Sequence, residues 1–147
     1  MAKLLLLALV CLAVAAPATA ANQPVVVTPG EGQLRWGQTV AFDVTLQNPL
    51  DFDWTGFSAE VVNTVDRRWV PIRATISPVP SFIGPTGVFW ALPTLAGNQS
   101  VSYRVTVRLP AIGGRHEYCF AANMYLLPTA TWGWPWSDSG WFCASVN

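Results

Sequence analysis

The chain has 147 residues with eight basic and eight acidic side chains, so its formal net charge is zero, and charged residues make up 11% of it. Typical globular domains carry about 25% charged residues. A chain without net charge lacks the basic surface that a partner of nucleic acids or anionic membranes needs, and we expect neither as a partner. A sparsely charged exterior includes exposed apolar groups, and large apolar patches usually mark a surface that contacts another molecule.

The N-terminal residues have the three parts of an export signal. Lys3 precedes an apolar run over residues 4–16 and a small-residue ending at residues 18–20. This pattern predicts a cleavable secretory signal peptide over residues 1–20, and the apolar run is shorter than the roughly 20 residues that span a membrane. Cleavage after Ala20 would leave 127 of the 147 residues. We therefore expect one mature domain, residues 21–147, that is secreted or held at the cell surface without inserting into the membrane.

Short runs of β-prone residues, separated by glycine and proline, fill the mature chain. The clearest predicted strand spans residues 38–48, where Val40, Phe42 and Val44 share one face and mostly polar residues share the other. This alternation is typical of a strand with one face in the core and the other in water. Residues 100–109 repeat the same pattern.

Weaker patterns complete the predicted elements. Residues 78–87 hold three prolines and two glycines, and because proline has no N–H to donate, we expect a loop or a sheet edge there. The further predicted strands, in chain order, are residues 25–28, 57–65, 69–77, 88–92, 115–124 and 141–146. The pattern predicts an all-β fold, an immunoglobulin-like antiparallel β-sandwich of about seven to eight strands.

Three stretches resemble a known group of families. Residues 29–30 with 37–48 are similar to the second strand of exported prokaryotic immunoglobulin-like surface domains, which typically ends in asparagine. Residues 90–103 and the closing segments around Tyr118 and at 143–146 are similar to other parts of the same families, which include cell-adhesion-related repeats. The resemblance implies a non-catalytic module of a surface or secreted protein.

Two cysteines, Cys119 and Cys143, remain after the predicted cleavage. An even number of cysteines in an oxidising compartment favours a disulfide, and here it would join the last two predicted strands across a hairpin. The sequence has no Cys-x-x-Cys motif and a single histidine. We therefore expect a structural disulfide, and no metal site or cofactor.

The segment 131–142 holds four of the eight tryptophans, together with glycine and proline that argue against a strand interior. We expect a loop at one end of the sandwich, where such folds commonly bind ligands. Tryptophan supplies large, stiff contact area with one polar group. The low charge of the rest of the chain favours a protein neighbour, although the rings also suit a platform for sugars, and single rings could instead pack on the core. The expected binding residues are Trp132, Trp134, Trp136, Asp138 and Trp141.

Other polar residues have simpler interpretations. Asn48, Asp51 and Asp53 offer oxygen ligands of the kind that Ca²⁺ takes, but dedicated Ca²⁺ sites need more carboxylates, so a solvated turn is the favoured interpretation. Residues 66–68 predict a charged hairpin tip. His116 has no sequence neighbour that would complete a catalytic triad, and no G-x-S-x-G motif is present.

The sequence thus predicts a non-catalytic extracellular binding or adhesion module that acts through its aromatic loop. The expected partner is a protein neighbour or surface assembly, or a glycan. The alternatives are a structural subunit of an extracellular filament or envelope layer, a secreted proteinase inhibitor that presents the aromatic loop or residues 78–87, and a carbohydrate-binding module.

Overall fold

A computed structural model describes residues 23–84, 87–92, 94–126 and 136–147. The predicted signal peptide, together with Trp132 and Trp134, lies outside these residues. The described chain forms ten strands and no helix. They are β1 (Val25–Pro29), β2 (Thr39–Gln47), β3 (Phe57–Val65), β4 (Arg68–Val70), β5 (Arg73–Ser77), β6 (Phe82–Ile83), β7 (Val88–Ala91), β8 (Ser100–Arg108), β9 (His116–Leu126) and β10 (Trp136–Val146).

The strands form two antiparallel sheets. The first sheet has the order β1-β2-β8-β5, and the second has the order β10-β9-β3-β7-β6, with β4 paired to the C-terminal end of β3. The two sheets pack face to face around a single core. The all-β sandwich predicted from the sequence is therefore confirmed, with ten described strands in place of about eight.

Alternation of apolar and polar residues forms the core where the sequence predicted it. Phe42 and Val44 on β2 are fully buried, as are Val105 and Val107 on β8. The Phe42 ring stacks on Phe120 of the second sheet, with ring centroids 4.2 Å apart and planes 4° from parallel. This contact lies between the two sheets at the centre of the sandwich.

Two predicted boundaries are wrong. The expected strand over residues 69–77 is two strands, since the chain leaves the second sheet after β4 and enters the first sheet at β5, with Pro71 in between. The expected loop over residues 131–142 is strand from Trp136 onward, because β10 pairs with β9 along eleven residues. Backbone pairing with a long neighbour outweighs the loop-forming composition there. Residues 78–87 contain the edge strand β6, as predicted.

The turn between β3 and β4 has the geometry of a tight hairpin. Asp66 and Arg67 have φ angles of 47° and 65°, both in the left-handed region that a two-residue type I′ turn requires. Val65 pairs with Arg68 on either side of the turn. The charged hairpin tip predicted from the sequence is confirmed.

The predicted disulfide is confirmed between Cys119 and Cys143. The two residues face each other directly in the β9–β10 register, with their Cα atoms 4.1 Å apart. Cys119 is buried and Cys143 is exposed. The bond is thus a cross-strand link within one sheet, and it does not connect the two sheets.

The first and last strands meet at one edge of the sandwich. A Cβ atom added to Gly140 on β10 would lie 2.6 Å from the Val25 carbonyl oxygen on β1, so only glycine permits this close approach. Val25 lies at the end of the sandwich where β2 ends at Gln47, whereas β10 ends at Val146 beside His116, at the opposite end. Because Gly140 lies beside Val25 and six residues before Val146, the N-terminus of β1 and the C-terminus of β10 lie about 20 Å apart along the strands.

Candidate functional site

The outer face of the first sheet is polar and exposed to solvent. Thr45 and Ser102 share a hydrogen bond of 2.8 Å between their hydroxyl oxygens. Arg104 donates to Asp43 at 3.5 Å, and both side chains are about half exposed or more. This is the wet face that the alternation in the sequence predicted.

The outer face of the second sheet is different, because its central strand β3 is buried on both sides. Glu60, Val62 and Thr64 point away from the core, yet all three are buried, Glu60 with only 4% of its surface exposed. The hairpin between β6 and β7 contributes to this cover. A Cβ added to Gly87 would lie 2.8 Å from both Glu60 Oε1 and Val62 Cγ1.

Two exposed tryptophans lean toward each other across this face. Both rings lie on the outer face. Trp69 on β4 pairs with Thr64 of β3, and Trp141 on β10 pairs with Ala121 of β9. Their strands, β4 and β10, are three strand spacings apart, roughly 14 Å, but the ring centroids are 6.4 Å apart at 51°. The rings therefore extend over the small side chains between them, with 64% of Trp69 and 50% of Trp141 exposed.

A groove of about 880 Å³ adjoins the tryptophan pair on the same face. Its floor consists of Glu60, Asn123 and Tyr125 from β3 and β9. One wall is the connector over residues 70–72 with Ile83, Gly84 and Gly87, and the other is residues 137–139 of β10. We call this space the outer groove; its volume is in the range of sites that hold small molecules.

Glu60 accepts hydrogen bonds from the other two residues in the floor of the outer groove. Tyr125 donates its hydroxyl proton to Glu60 Oε2 at 2.8 Å, and Asn123 Nδ2 donates to the same oxygen at 3.4 Å. Burial, reinforced by the hydrogen bond to Glu60 and by its negative charge, raises the pKa of Tyr125 to about 12. Tyr125 therefore remains a protonated donor at every physiological pH, and the three side chains form a fixed polar cluster.

The charge of the outer groove has one sign. Glu60 contributes a carboxylate, and no lysine, arginine or histidine occurs among the described residues that line it. A phosphate, sulfate or carboxylate would meet negative charge without a compensating cation there. The groove therefore suits ligands that are uncharged or positively charged.

The structure brings part of the predicted site into this groove. Asp138 lines the groove, and Trp141 adjoins it by donating its indole N–H to Ser139 Oγ at 3.2 Å. Trp136 is described only as the first residue of β10, paired with Leu126. The expected binding residues Trp132 and Trp134 lie outside the described residues.

Sequence reasoning missed the larger part of the groove. Four further residues of the groove come from three other strands, and only the pairing of these strands brings them next to the predicted residues. They are Glu60, Trp69, Asn123 and Tyr125. One signal was present in the sequence, since Glu60 is the single charged residue in the run over residues 57–65. A lone carboxylate in a buried strand indicates a specific polar partner.

His116 forms a structural link to the β3–β4 hairpin. Its Nδ1 lies 2.7 Å from Asp66 Oδ2, and its Nε2 lies 3.0 Å from the Gly113 carbonyl oxygen. Both neighbours are acceptors, so the doubly protonated ring satisfies them best. The hydrogen bond to Asp66 raises the pKa of His116, and the same hydrogen bond lowers the pKa of Asp66.

Asn48 is buried and connects two loops at the other end of the sandwich. Its Nδ2 donates to the carbonyl oxygens of Phe52 at 2.6 Å and Leu95 at 3.1 Å, and its Oδ1 accepts from the Leu50 N–H. Asp53 accepts from the Gly97 N–H. In the part of the chain that the structure describes, no group of three or more His, Cys, Asp or Glu is placed to hold a metal ion.

Fold and groove together define an all-β sandwich with an aromatic, acidic groove on one face. Comparison with known protein families, with curated proteins and with solved structures finds no match for this chain. Within the described ranges, no helix has the length and apolarity needed to cross a membrane.

Proposed function

We propose that the chain is an exported, immunoglobulin-like binding module without catalytic activity, and that it holds an extracytoplasmic ligand in the outer groove. The observation that carries this proposal is the combination of a fixed polar floor, formed by Glu60 with Tyr125 and Asn123, and two exposed tryptophans beside it. Binding sites typically combine exposed aromatic surface with a few well-placed polar groups in this way.

The strand order supports the immunoglobulin-like assignment. An immunoglobulin sandwich has strands A, B, E and D in one sheet and C, F and G in the other. The orders β1-β2-β8-β5 and β10-β9-β3 correspond to A-B-E-D and G-F-C. The additional strands β4 and β7 pair with the free side of β3, where variable-type domains carry their additional strands.

Export is supported by two independent features. Residues 1–20 have the pattern of a secretory signal peptide. The Cys119–Cys143 disulfide is compatible with an extracellular protein, because disulfides persist in oxidising compartments.

A binding role, in preference to catalysis, is supported by how the polar groups of the groove are engaged. The raised pKa of Tyr125 leaves this residue protonated, so it does not serve as a base near neutral pH. Glu60 is buried under the β6–β7 hairpin and accepts two hydrogen bonds on one oxygen. This engagement of both groups in hydrogen bonds supports a role in holding a ligand.

Native mass spectrometry of the protein recovered from its own host's medium or envelope tests the proposal. We expect the wild type to retain a bound molecule or partner that the Trp69→Ala/Trp141→Ala variant loses. Phe52→Ala is the matched control, because Phe52 is an exposed aromatic residue outside the groove. A wild type that carries nothing, or a bound species that all three proteins retain, would contradict the proposed function.

One observation favours a second candidate, a subunit of a surface assembly. Phe82 and Ile83 are 61% and 79% exposed on the edge strand β6, and an exposed apolar edge is a template for strand pairing between chains. If this edge assembles the protein, Ile83→Lys converts the native particles into monomers. An unchanged particle size would exclude assembly through β6.

A further inference from the structure

We infer that the outer groove binds an uncharged glycan chain, with the Trp69–Trp141 pair as its stacking surface. This inference rests on the proposed binding function and names the ligand class of the same groove. Three features carry it: the exposed aromatic surface, the spacing of the polar groups, and the sign of the charge.

The tryptophan pair provides the apolar part of a sugar site. A sugar ring has a face of C–H groups that packs on an aromatic ring, and Trp69 and Trp141 are both at least half exposed. Their planes are inclined by 51°, so the pair forms a bent surface that can contact two successive rings of a chain. Trp141 is held in place by its hydrogen bond to Ser139.

The polar groups of the groove recur along the strands. Asn123 pairs with Ser139 in one row across β9 and β10, and Tyr125 pairs with Ser137 in the next. The two rows are two positions apart along each strand, which corresponds to roughly 7 Å. Amide and hydroxyl groups both donate and accept hydrogen bonds, as sugar hydroxyls do. A ligand with repeated hydroxyl groups therefore matches the two rows.

The charge of the groove favours a neutral chain over an acidic one. The floor contains the Glu60 carboxylate, and the described lining has no cationic side chain. A uronic acid or sulfated sugar would be repelled there.

A cationic peptide is the competing ligand, and the engagement of Glu60 argues against it. This carboxylate is 4% exposed and already accepts hydrogen bonds from Tyr125 and Asn123. It is therefore poorly placed to pair with an incoming lysine or arginine. Asp138 pairs with the core residue Met124, so strand alternation turns its side chain away from the face of Trp141.

Titration of the mature, disulfide-bonded protein with defined oligosaccharides tests the inference. The neutral probes are cellohexaose, chitohexaose, maltohexaose and mannohexaose, the acidic probe is an oligogalacturonate, and the peptide probe is oligolysine. Calorimetry should show saturable binding of at least one neutral probe. We expect Trp69→Ala and Trp141→Ala to weaken it by about tenfold or more, and Phe52→Ala to leave it unchanged within about twofold.

Conservative variants keep the test independent of folding. Trp141→Phe retains a ring at this position and should bind more tightly than Trp141→Ala at equal thermal stability. Asn123→Ala removes the amide from one polar row and should also weaken binding, with the tryptophan pair intact.

Several outcomes would overturn the inference. They are a flat response to all four neutral probes, tighter binding of oligogalacturonate or oligolysine than of any neutral probe, or equal losses in Phe52→Ala and Trp69→Ala. If native mass spectrometry shows a partner that depends on the tryptophans while the neutral probes do not bind, the binding function stands and the glycan inference fails. If no partner and no probe binds, both fail.

Discussion

Removal of the Cys119–Cys143 bond should destabilise the domain by a predictable amount. The two cysteines are 24 residues apart in the chain. In the chain-entropy model, opening a loop of this size lowers the free energy of unfolding by about 3.4 kcal/mol at room temperature. A domain has a total stability of about 5–15 kcal/mol, so this loss is a large fraction. For a domain of this size the melting temperature should fall by roughly 10–15 °C.

The folded state should survive the loss of the bond, because β9 and β10 remain paired along eleven residues. The effect therefore lies mainly in the unfolded chain, which becomes less compact without the link. Urea unfolding followed by tryptophan fluorescence reports this, since Trp90 and Trp54 are buried. Both the midpoint and the free energy of unfolding should fall, and the m value should rise because more surface is exposed on unfolding.

Two routes to the same state provide the control. Wild-type protein under a reductant loses only the covalent bond, whereas Cys119→Ala/Cys143→Ala also loses a buried sulfur atom. The two should agree within about 1 kcal/mol. A loss below about 1 kcal/mol by both routes, with an unchanged m value, would refute the entropic reasoning.

Three further changes have defined expected results. Glu60→Gln should lower the pKa of Tyr125 from about 12 while leaving it above its ordinary value of 10.0, because burial, the largest cause of the shift, remains; the ultraviolet absorbance of tyrosinate measures it. His116→Asn should abolish a pH dependence of stability: the pKa of His116 is raised above 6.5 in the folded state, so its contribution is complete below that pH and is lost as pH rises through the raised pKa. Arg67→Gly should raise the free energy of unfolding by about 0.5 kcal/mol, because φ at this position is 65°, and the relief of the left-handed strain exceeds the entropy cost of glycine.

Each of these predictions has an outcome that would contradict it. An unchanged Tyr125 pKa in Glu60→Gln would mean that the carboxylate does not influence the hydroxyl. A His116→Asn protein whose melting temperature still falls between pH 6 and pH 8, as in the wild type, would place the titrating group elsewhere. For the turn, Arg68→Gly is the matched control: it lies in strand β4 and should destabilise the domain, so equal effects at both positions would refute the turn argument.

The sequence predicted the parts of the fold in which burial is one-sided. Apolar and polar residues alternate over 38–48 and 100–109, because one face of each strand lies in the core and the other in water. The observed strands β2 and β8 differ from these predicted ranges by only one residue at an end. The stretch 136–140 was missed because its serines, glycine and tryptophan do not favour a strand locally. Its partner in β9 supplies the hydrogen bonds, and no local pattern contains that information.

The candidate site was predictable only where its residues are close in the chain. Asp138 and Trp141 attracted attention because aromatic residues cluster around them. The groups that meet in the groove are up to 72 residues apart in sequence, as Trp69 and Trp141 are. Only the register of β3 with its neighbours brings them together. Such juxtaposition depends on non-local pairing, which periodicity does not encode.

The positions of β1 and β10 determine how the domain responds to mechanical load. Tension applied between Val25 and Val146 acts along the strands, because these residues lie at opposite ends of the sandwich. The five residue pairs between β1 and β2 are then loaded in shear together, and not opened one after another. At the other end, the covalent bond at Cys143 transmits the force from β10 to β9, so only the last three residues of β10 lie beyond this bond. The domain should therefore yield first at β1, with the groove face still intact.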